Sequence, residues 1–289
     1  MRLAIGIATR GRPAILAETI AELAHQTRRA DELLICHVDP EDVGDLPHRR
    51  PDIRFLRTSP GLPRQRNAIL EATEADILLF LDDDFFPATA YTEVLEQVFA
   101  AHPDCVVATG TVIADGAKGP GITPDEARRI LAADRPPDDP LAVASHFNGY
   151  GCNMAVRMEV VRRTGIRVDE RLPLYAWYED IDFTRALGRH GTILRLAGAR
   201  GVHLGVKQAR TPGLRLGYSQ VVNPIYLARK GTFPWSHAIP SAARHLAINA
   251  VRSFFPEPHV DRFGRLRGNL LALFDLARGR VEPERAIAL

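Results

Sequence analysis

The first half of the chain alternates short apolar runs with amphipathic stretches, which predicts strands and helices in succession around a mainly parallel sheet. Leu3 to Ala8 reads as the first strand. Pro13 suits the first turn of a helix, and Ile15, Leu16, Ile20 and Leu23 recur behind it at helical spacing. Leu33 to Val38 gives a second strand ending at Asp39, and Ile53 to Leu56 a short third one. Residues 63 to 73 predict a helix carrying Arg64, Arg66 and Asn67. Ile77 to Leu81 is an unbroken apolar run, as a central strand buried on both faces requires, and it leads straight into Asp82, Asp83 and Asp84. A helix from about Ala88 to Ala101 and a strand from Cys105 to Thr109 follow.

Further on, residues 115 to 121 and 134 to 140 are loops by composition. Between them Thr123, Pro124 and Glu126 spell a capping box with proline at the first helical position. Ala155 to Thr164 and Glu179 to His190 predict helices that stop at Gly165 and Gly191, each glycine suiting a left-handed cap. Ile193 to Leu196 predicts a short strand. After about residue 231 the strand signals vanish. Ala243, Leu246, Ala247, Ala250, Val251 and Phe254 line one helical face, and Leu266, Leu270, Leu273, Phe274 and Ala277 repeat the pattern. The expected organisation is a domain over residues 1–230 with a helical extension over 231–289.

Composition narrows the class. Apolar residues make up 46% of the 289 and charged residues 25%, enough to bury a core, so disordered and fibrous classes are excluded. A net charge of +2 argues against a dedicated nucleic-acid binder. Cys36, Cys105 and Cys152 are scattered and make no paired motif, which reads as reduced, buried thiols. The apolar run at the N-terminus is too short for a signal peptide, and no stretch approaches a membrane span. The expectation is a cytoplasmic protein, at most peripheral at the inner face of the membrane.

The acidic triplet is the most informative feature. In extended chain, residues two apart face the same way, so Asp82 and Asp84 converge while Asp83 faces elsewhere. Crowded carboxylates call for a compensating cation, and hard divalent ions take carboxylate oxygens together with substrate phosphates. Open α/β sheets also place ligands beyond the carboxyl ends of their strands. These residues point to a metal–diphosphate site. Read structurally, the same aspartates start an acidic loop and cap the helix near Ala88.

The order of IATRGRP, the strand ending at Asp39, PRQRNAILEATEADILLFLDDDFFP and YGCNMAVR…WYEDIDF resembles family-2 glycosyltransferases of the GT-A fold over roughly residues 1 to 230. The resemblance implies a mixed, mainly parallel sheet flanked by helices. It implies that Ala8, Thr9, Arg10 and Asp39 surround the base and ribose of a nucleotide, with Arg66 and Asn67 beside them. Asp82 and Asp84 match the family's D-x-D motif within a nucleotide-binding triplet that includes Asp83. By the same resemblance Asp84 is expected to be the direct ligand to Mn²⁺ or Mg²⁺, with Asp82 and His203 assisting. The resemblance also implies that Gly151, Cys152 and Asn153 lie near the donor sugar. Arg10-Gly11 and His37-Val38-Asp39-Pro40 depart from the usual pattern and leave the base open among uracil, guanine and thymine.

Glu179, Asp180 and Asp182 lie in YEDIDF. By residue type alone, an acidic pair at a helix start is either a cap or a base that deprotonates a hydroxyl. The resemblance assigns the base to Asp180, with Glu179 as fallback and Asp182 structural or in contact with substrate. Trp177 and Tyr175 either stack on an acceptor sugar or pack in the core. Lys207, Arg210 and Arg215, taken singly, read as a solvated basic loop. The C-terminal helices, with arginines on their polar face, fit an anionic membrane, the catalytic domain or a second subunit of a homodimer.

The implied activity is metal-dependent, inverting transfer of a sugar from a nucleotide-diphosphate sugar to a hydroxyl of a glycan or lipid-linked acceptor, as in bacterial surface polysaccharide or glycolipid synthesis. Two other classes compete. A sugar-nucleotide nucleotidyltransferase would need more glycines than Gly6 and Gly11 to cradle phosphates. A non-catalytic sugar-nucleotide-binding protein would have little use for Asp82, Asp84, Asp180 and His203 together.

Overall fold

A computed structural model describes residues 1–207, 212–255, 257–258 and 260–289, the side chain of Lys118 excepted. β1 (Leu3–Ala8) is followed by α1 (Pro13–Leu23), which has proline in its first turn. β2 (Glu32–His37), the short α2 (Leu46–Arg49), β3 (Arg54–Arg57), α3 (Leu62–Ala72) and β4 (Ile77–Asp82) complete the first half. β1 lies between β2 and β4 and runs parallel to both, with Ile7 opposite Ile35 and Leu81. The apolar run of β4 is buried throughout, as its composition requires.

β5 (Phe85–Pro87), α4 (Tyr91–Ala101), β6 (Cys105–Asp115), α5 (Pro124–Ala133), β7 (Val143–Ser145), β8 (Asn153–Arg157), α6 (Met158–Thr164), α7 (Glu179–Leu187) and β9 (Thr192–His203) follow. The sheet order is β3-β2-β1-β4-β8-β6-β9-β5, with β7 on β9. Pairing is parallel from β3 to β4 and between β6 and β9, and antiparallel elsewhere. The sheet is therefore mixed.

Several expectations need correction. The helix expected over Ala155 to Thr164 begins only at Met158, and residues 153–157 form a strand, because Met154, Ala155 and Val156 are buried between β4 and β6, where the ladder offers both edges a partner. NGYGCNM therefore leads into β8. Gly165 does cap α6 in the left-handed conformation, with φ 68°. Gly191 does not have a positive φ. It is small because a Cβ there would lie 2.3 Å from the Asp104 carbonyl. β6 and β9 run further than their apolar cores, to Asp115 and His203. Of the proposed capping box, the Thr123 hydroxyl accepts from the Glu126 N–H at 3.3 Å.

The chain divides into two compact units. The first comprises residues 1–59, 64–167 and 186–209, and holds the sheet. The second comprises residues 60–63, 168–185 and 210–289, with α8 (Gly213–Lys230), α9 (Trp235–Arg252) and α10 (Arg262–Ala277). The division thus falls ahead of α8, not at residue 230. The reason is packing: Tyr218, Val221 and Val222 of α8 form a core with Ala272 of α10 and Ala286. All three cysteines are buried thiols. Among the described residues no helix is long and apolar enough to cross a membrane.

Candidate active site

Strand pairing assembles the first unit's site from three distant stretches. β4 delivers the acidic triplet, which leaves the strand in a tight turn rather than in extended chain. β5 pairs with β9 so that Phe85 stands opposite His203, and β6 pairs with β9 so that Asp115 stands opposite His203 on its other side. His203 is thereby fixed beside the triplet. Its Nε2 lies 3.4 Å from Asp84 Oδ1 and 3.8 Å from Asp82 Oδ2. Its Nδ1 lies 2.9 Å from Asp115 Oδ1. One ligand atom each of Asp82, Asp84 and His203 falls within 4.8 Å of the others.

Asp84 is buried and its Oδ2 accepts from the Val206 N–H at 2.8 Å. Asp83 is held by Thr9 and Arg12. The Thr9 hydroxyl donates to its Oδ2 at 2.7 Å, and Arg12 Nη2 lies 2.6 Å from its Oδ1. Arg12 also reaches Asp84, at 3.4 Å.

The electrostatics follow from this crowding. Burial pushes the Asp83 carboxyl up to about 7, against the pull of Arg12. Burial works the same way on Asp84, but the hydrogen bond and charge of His203 outweigh it and hold Asp84 at about 2. Burial opposes the charged form of His203, yet Asp115 and Asp84 lift it to about 10. Asp115, against its own burial, is held at about 2 by His203. Asp82, with 31% of its side chain exposed, is raised by burial despite Arg66 and His203. A proton on His203 thus serves as the resident counter-charge for the carboxylates.

Two carboxylates and one imidazole are a donor set that suits Mn²⁺ or Mg²⁺. Asp115 behind His203 supplies the carboxylate that metal-ligating histidines use to fix tautomer and ring orientation. The residues present fit a divalent cation.

The other predicted residues of this unit distribute as follows. Ala8 ends β1, half-buried, and Arg10 and Asp39 are exposed at the carboxyl ends of β1 and β2. Thr9 is buried, its carbonyl accepting from Gln65 Nε2 at 2.8 Å. Arg66 is buried over the Phe80 ring. It donates to the Gly151 carbonyl at 2.7 Å and to Asp82 Oδ1 at 3.3 Å, tying α3 to the end of β4 and to the loop before β8. Asn67 is buried beside it in sequence. Cys152 and Asn153 are buried as well. The Cys152 carbonyl accepts from the Asp82 N–H, and Asn153 Oδ1 accepts from the Thr109 hydroxyl at 2.7 Å. Lys207 Nζ donates to the Gly116 carbonyl at 2.8 Å. Arg210 lies outside the described residues.

Glu179, Asp180 and Trp177 belong to the second unit, where the acidic pair opens α7. Three alternate residues before it, Leu174, Ala176 and Tyr178, have φ of 60°, 52° and 73°, a left-handed geometry that costs on the order of 1–3 kcal/mol per residue and gathers at functional sites. Trp177 packs against Tyr178 and edge-on against His245, and its carbonyl accepts from Asn223 Nδ2 at 2.8 Å. Tyr175 is exposed. Asp182 is structural: it is buried and accepts from Lys230 at 2.6 Å and from the Thr232 hydroxyl.

Sequence reasoning missed Asp115, Arg12, Tyr150 and Asp42. The Tyr150 hydroxyl donates to Asp115 Oδ2 at 2.9 Å. Asp42 accepts from the Gly11, Val38 and Asp39 N–H groups and so fixes the loop ends of β1 and β2. A signal existed for Asp115, since Val112, Ile113 and Ala114 extend the preceding strand up to it. Arg12 stands just ahead of a helix-starting proline and nothing local sets it apart.

Comparison with known proteins gives the class. The profile of Glycosyl transferase family 2 matches residues 4–165, more than half of the chain, and the chain belongs to that family. The match ends before YEDIDF and His203. The fold is GT-A, similar to that of S. aureus TarS residues 1–349, with a TM-score of 0.60 and 15% identity over 100% of this chain and 83% of that one. The same TarS segment in complex with UDP gives a TM-score of 0.53 at 13% identity, covering 97% of this chain and 92% of that one. A longer TarS structure gives 0.53 at 14% identity, covering 88% and 44%. No curated protein matches the chain.

Proposed function

We propose that this glycosyltransferase moves a sugar, with inversion at the anomeric carbon, from a nucleotide-diphosphate sugar to a hydroxyl of a glycan or lipid-linked acceptor. The observation that carries the reading is the convergence of Asp82, Asp84 and His203, with Asp115 behind the imidazole. These three would hold Mn²⁺ or Mg²⁺, Asp84 most directly. When bound, the ion neutralises charge developing on the departing diphosphate.

The chain's own residues do the rest. Thr9, Arg10, Asp39, Asn67 and the buried Arg66 orient the nucleotide at the carboxyl ends of β1 and β2. Asp83, held by Thr9 and Arg12, braces the turn that presents Asp84. Gly151, Cys152 and Asn153 border the donor sugar. Asp180 accepts the proton of the acceptor hydroxyl as it attacks, with Glu179 as the alternative base and Trp177 on the acceptor side. A role in surface polysaccharide or glycolipid synthesis suits such an acceptor.

The test is thermal unfolding with UDP, GDP or dTDP, with and without Mn²⁺. UDP leads the panel because TarS has been solved with it. One nucleotide should raise Tm only with metal, through ligand linkage. Asp84→Ala should lose that shift. Asp180→Ala should keep it and lose sugar transfer, and normal turnover by Asp180→Ala would overturn the base assignment. Consumption of a nucleoside triphosphate with release of pyrophosphate would favour a nucleotidyltransferase. Binding with no turnover of any donor would favour a binding protein.

A further inference from the structure

Two helices of the second unit, α9 and α10, are amphipathic in the reverse sense. The buried positions of α9 are Ala238 and Asn249, and those of α10 are Gly268, Asn269, Ala272 and Asp275. Asn249 Nδ2 donates to Gln220 Oε1 at 3.0 Å and to Asn269 Oδ1 at 2.8 Å, and Asn269 Nδ2 donates to the Gly217 carbonyl at 2.7 Å. Small and amide side chains therefore fill the seam. Of the apolar stripes that the sequence predicts, Leu246, Ala250 and Leu266 are half-buried, while Val251, Phe254, Leu270, Leu273 and Phe274 point outward. Ile239, Val251, Phe254, Phe255, Phe263 and Phe274 are all exposed, Phe254 at 82% and Phe263 at 63%. Patches of this kind mark an interaction surface.

Charge decides what covers it. Arg244, Arg267, Arg278 and Arg280 are exposed on the same helices and their C-terminal edge, and make no ion pair among the described residues. The acidic groups of residues 231–289 are mostly engaged. Glu257 pairs with Arg252 and Arg262, buried Asp275 with Arg285, and Glu284 with Arg171, while Asp261 caps α10. Glu282 and the capping Asp261 are the two left exposed to solvent without an ion pair among them. A second copy would bring together two patches of the same net basic charge, with only Asp261 and Glu282 free to meet the arginines. Phosphate-bearing headgroups would instead meet the arginines while the phenylalanines enter the acyl boundary.

We infer that the outward face of α9 and α10, with the Phe254-Phe255 turn between them, is a docking surface for an anionic lipid bilayer. The chain lies on the membrane without spanning it. This inference stands independently of the transfer chemistry, because none of its residues belongs to the proposed catalytic or metal site.

Flotation of the intact protein with vesicles of phosphatidylcholine, with and without phosphatidylglycerol, tests it. The protein should float with the anionic vesicles, and less so as salt rises. Each of Arg244→Ala and Arg267→Ala should weaken partitioning about fivefold. Phe254→Ser with Phe255→Ser should weaken it by at least about tenfold. That double variant should keep the wild-type Tm and metal-dependent nucleotide shift, which separates loss of docking from loss of fold. Equal partitioning into neutral and anionic vesicles would overturn the inference. So would no flotation at all, or a concentration-dependent dimer that the phenylalanine changes disperse.

Discussion

His203 owes its role at the site to Asp115. With Nδ1 engaged at 2.9 Å, the ring presents Nε2 to Asp82 and Asp84. Asp115→Asn should therefore weaken Mn²⁺ binding by about 10–100-fold, the usual cost of losing such a partner. Asp84→Ala should abolish it, and titration calorimetry with the metal alone distinguishes the two. The same pair sets a pH dependence. In the metal-free chain His203 is lifted from the ordinary 6.5 to about 10 by Asp115 and Asp84, against its burial. Its charge stabilises the fold fully below about 6.5, and that contribution fades as pH climbs toward 10. A cation at the same atoms displaces the proton, so its own stabilisation grows over that window. Without metal, Tm should fall with rising pH more steeply in the wild type than in His203→Gln, and the increment from Mg²⁺ should widen. An increment that ignores pH would show that the proton and the ion do not compete. At this scale the triplet was legible because its carboxylates are adjacent in sequence. Asp115 was not, because only the β6–β9 register brings it 88 residues across to His203.

Elements were legible where local pattern and tertiary setting agree. The proline-started α1, the apolar β4 and the glycine-capped end of α6 are such cases. Residues 155–157, expected as the start of a helix, belong to a strand, because a short apolar run does not distinguish helix from buried strand and two neighbouring edges decide the matter. The C-terminal helices show a subtler failure. Their periodicity correctly predicts helices, yet much of the stripe it defines faces outward, because the inward faces are shaped by close approach. A Cβ on Gly217 would lie 2.1 Å from the Arg265 carbonyl oxygen, and one on Gly268 would lie 2.1 Å from that of Leu214. Neither backbone oxygen can rotate away. Gly217→Ala or Gly268→Ala gains about 1 kcal/mol in helix propensity but meets overpacking of about 3 kcal/mol, so each should destabilise by a net ~2 kcal/mol. Thermal denaturation should show a fall of several degrees. Gly119→Ala, with nothing within 4 Å of its Cβ, is the control and should leave Tm unchanged.

At the scale of the whole molecule, the disappearance of strand signals after residue 231 marks a change of secondary structure, not a boundary between units. The chain enters and leaves the helical unit more than once: residues 60–63 and 168–185 belong with 210–289. Local pattern is blind to that, since membership depends on which side chains are buried together. Cutting after residue 230 puts the matter to the test. The cut keeps α8 but removes α9 and α10, and with them the partners of Tyr218, Val221 and Val222. It also strips the Tyr218 hydroxyl of its Asp275 acceptor and Gln220 of Asn249. Each apolar side chain so exposed costs roughly 1.5–3 kcal/mol, and three of them rival the ~5–15 kcal/mol net stability of a folded domain. The fragment 1–230 should therefore bind a hydrophobic dye and aggregate, and its α8 amides should exchange as in an unfolded segment. A monodisperse fragment with a cooperative unfolding transition and protected α8 amides would instead establish residue 230 as a true boundary.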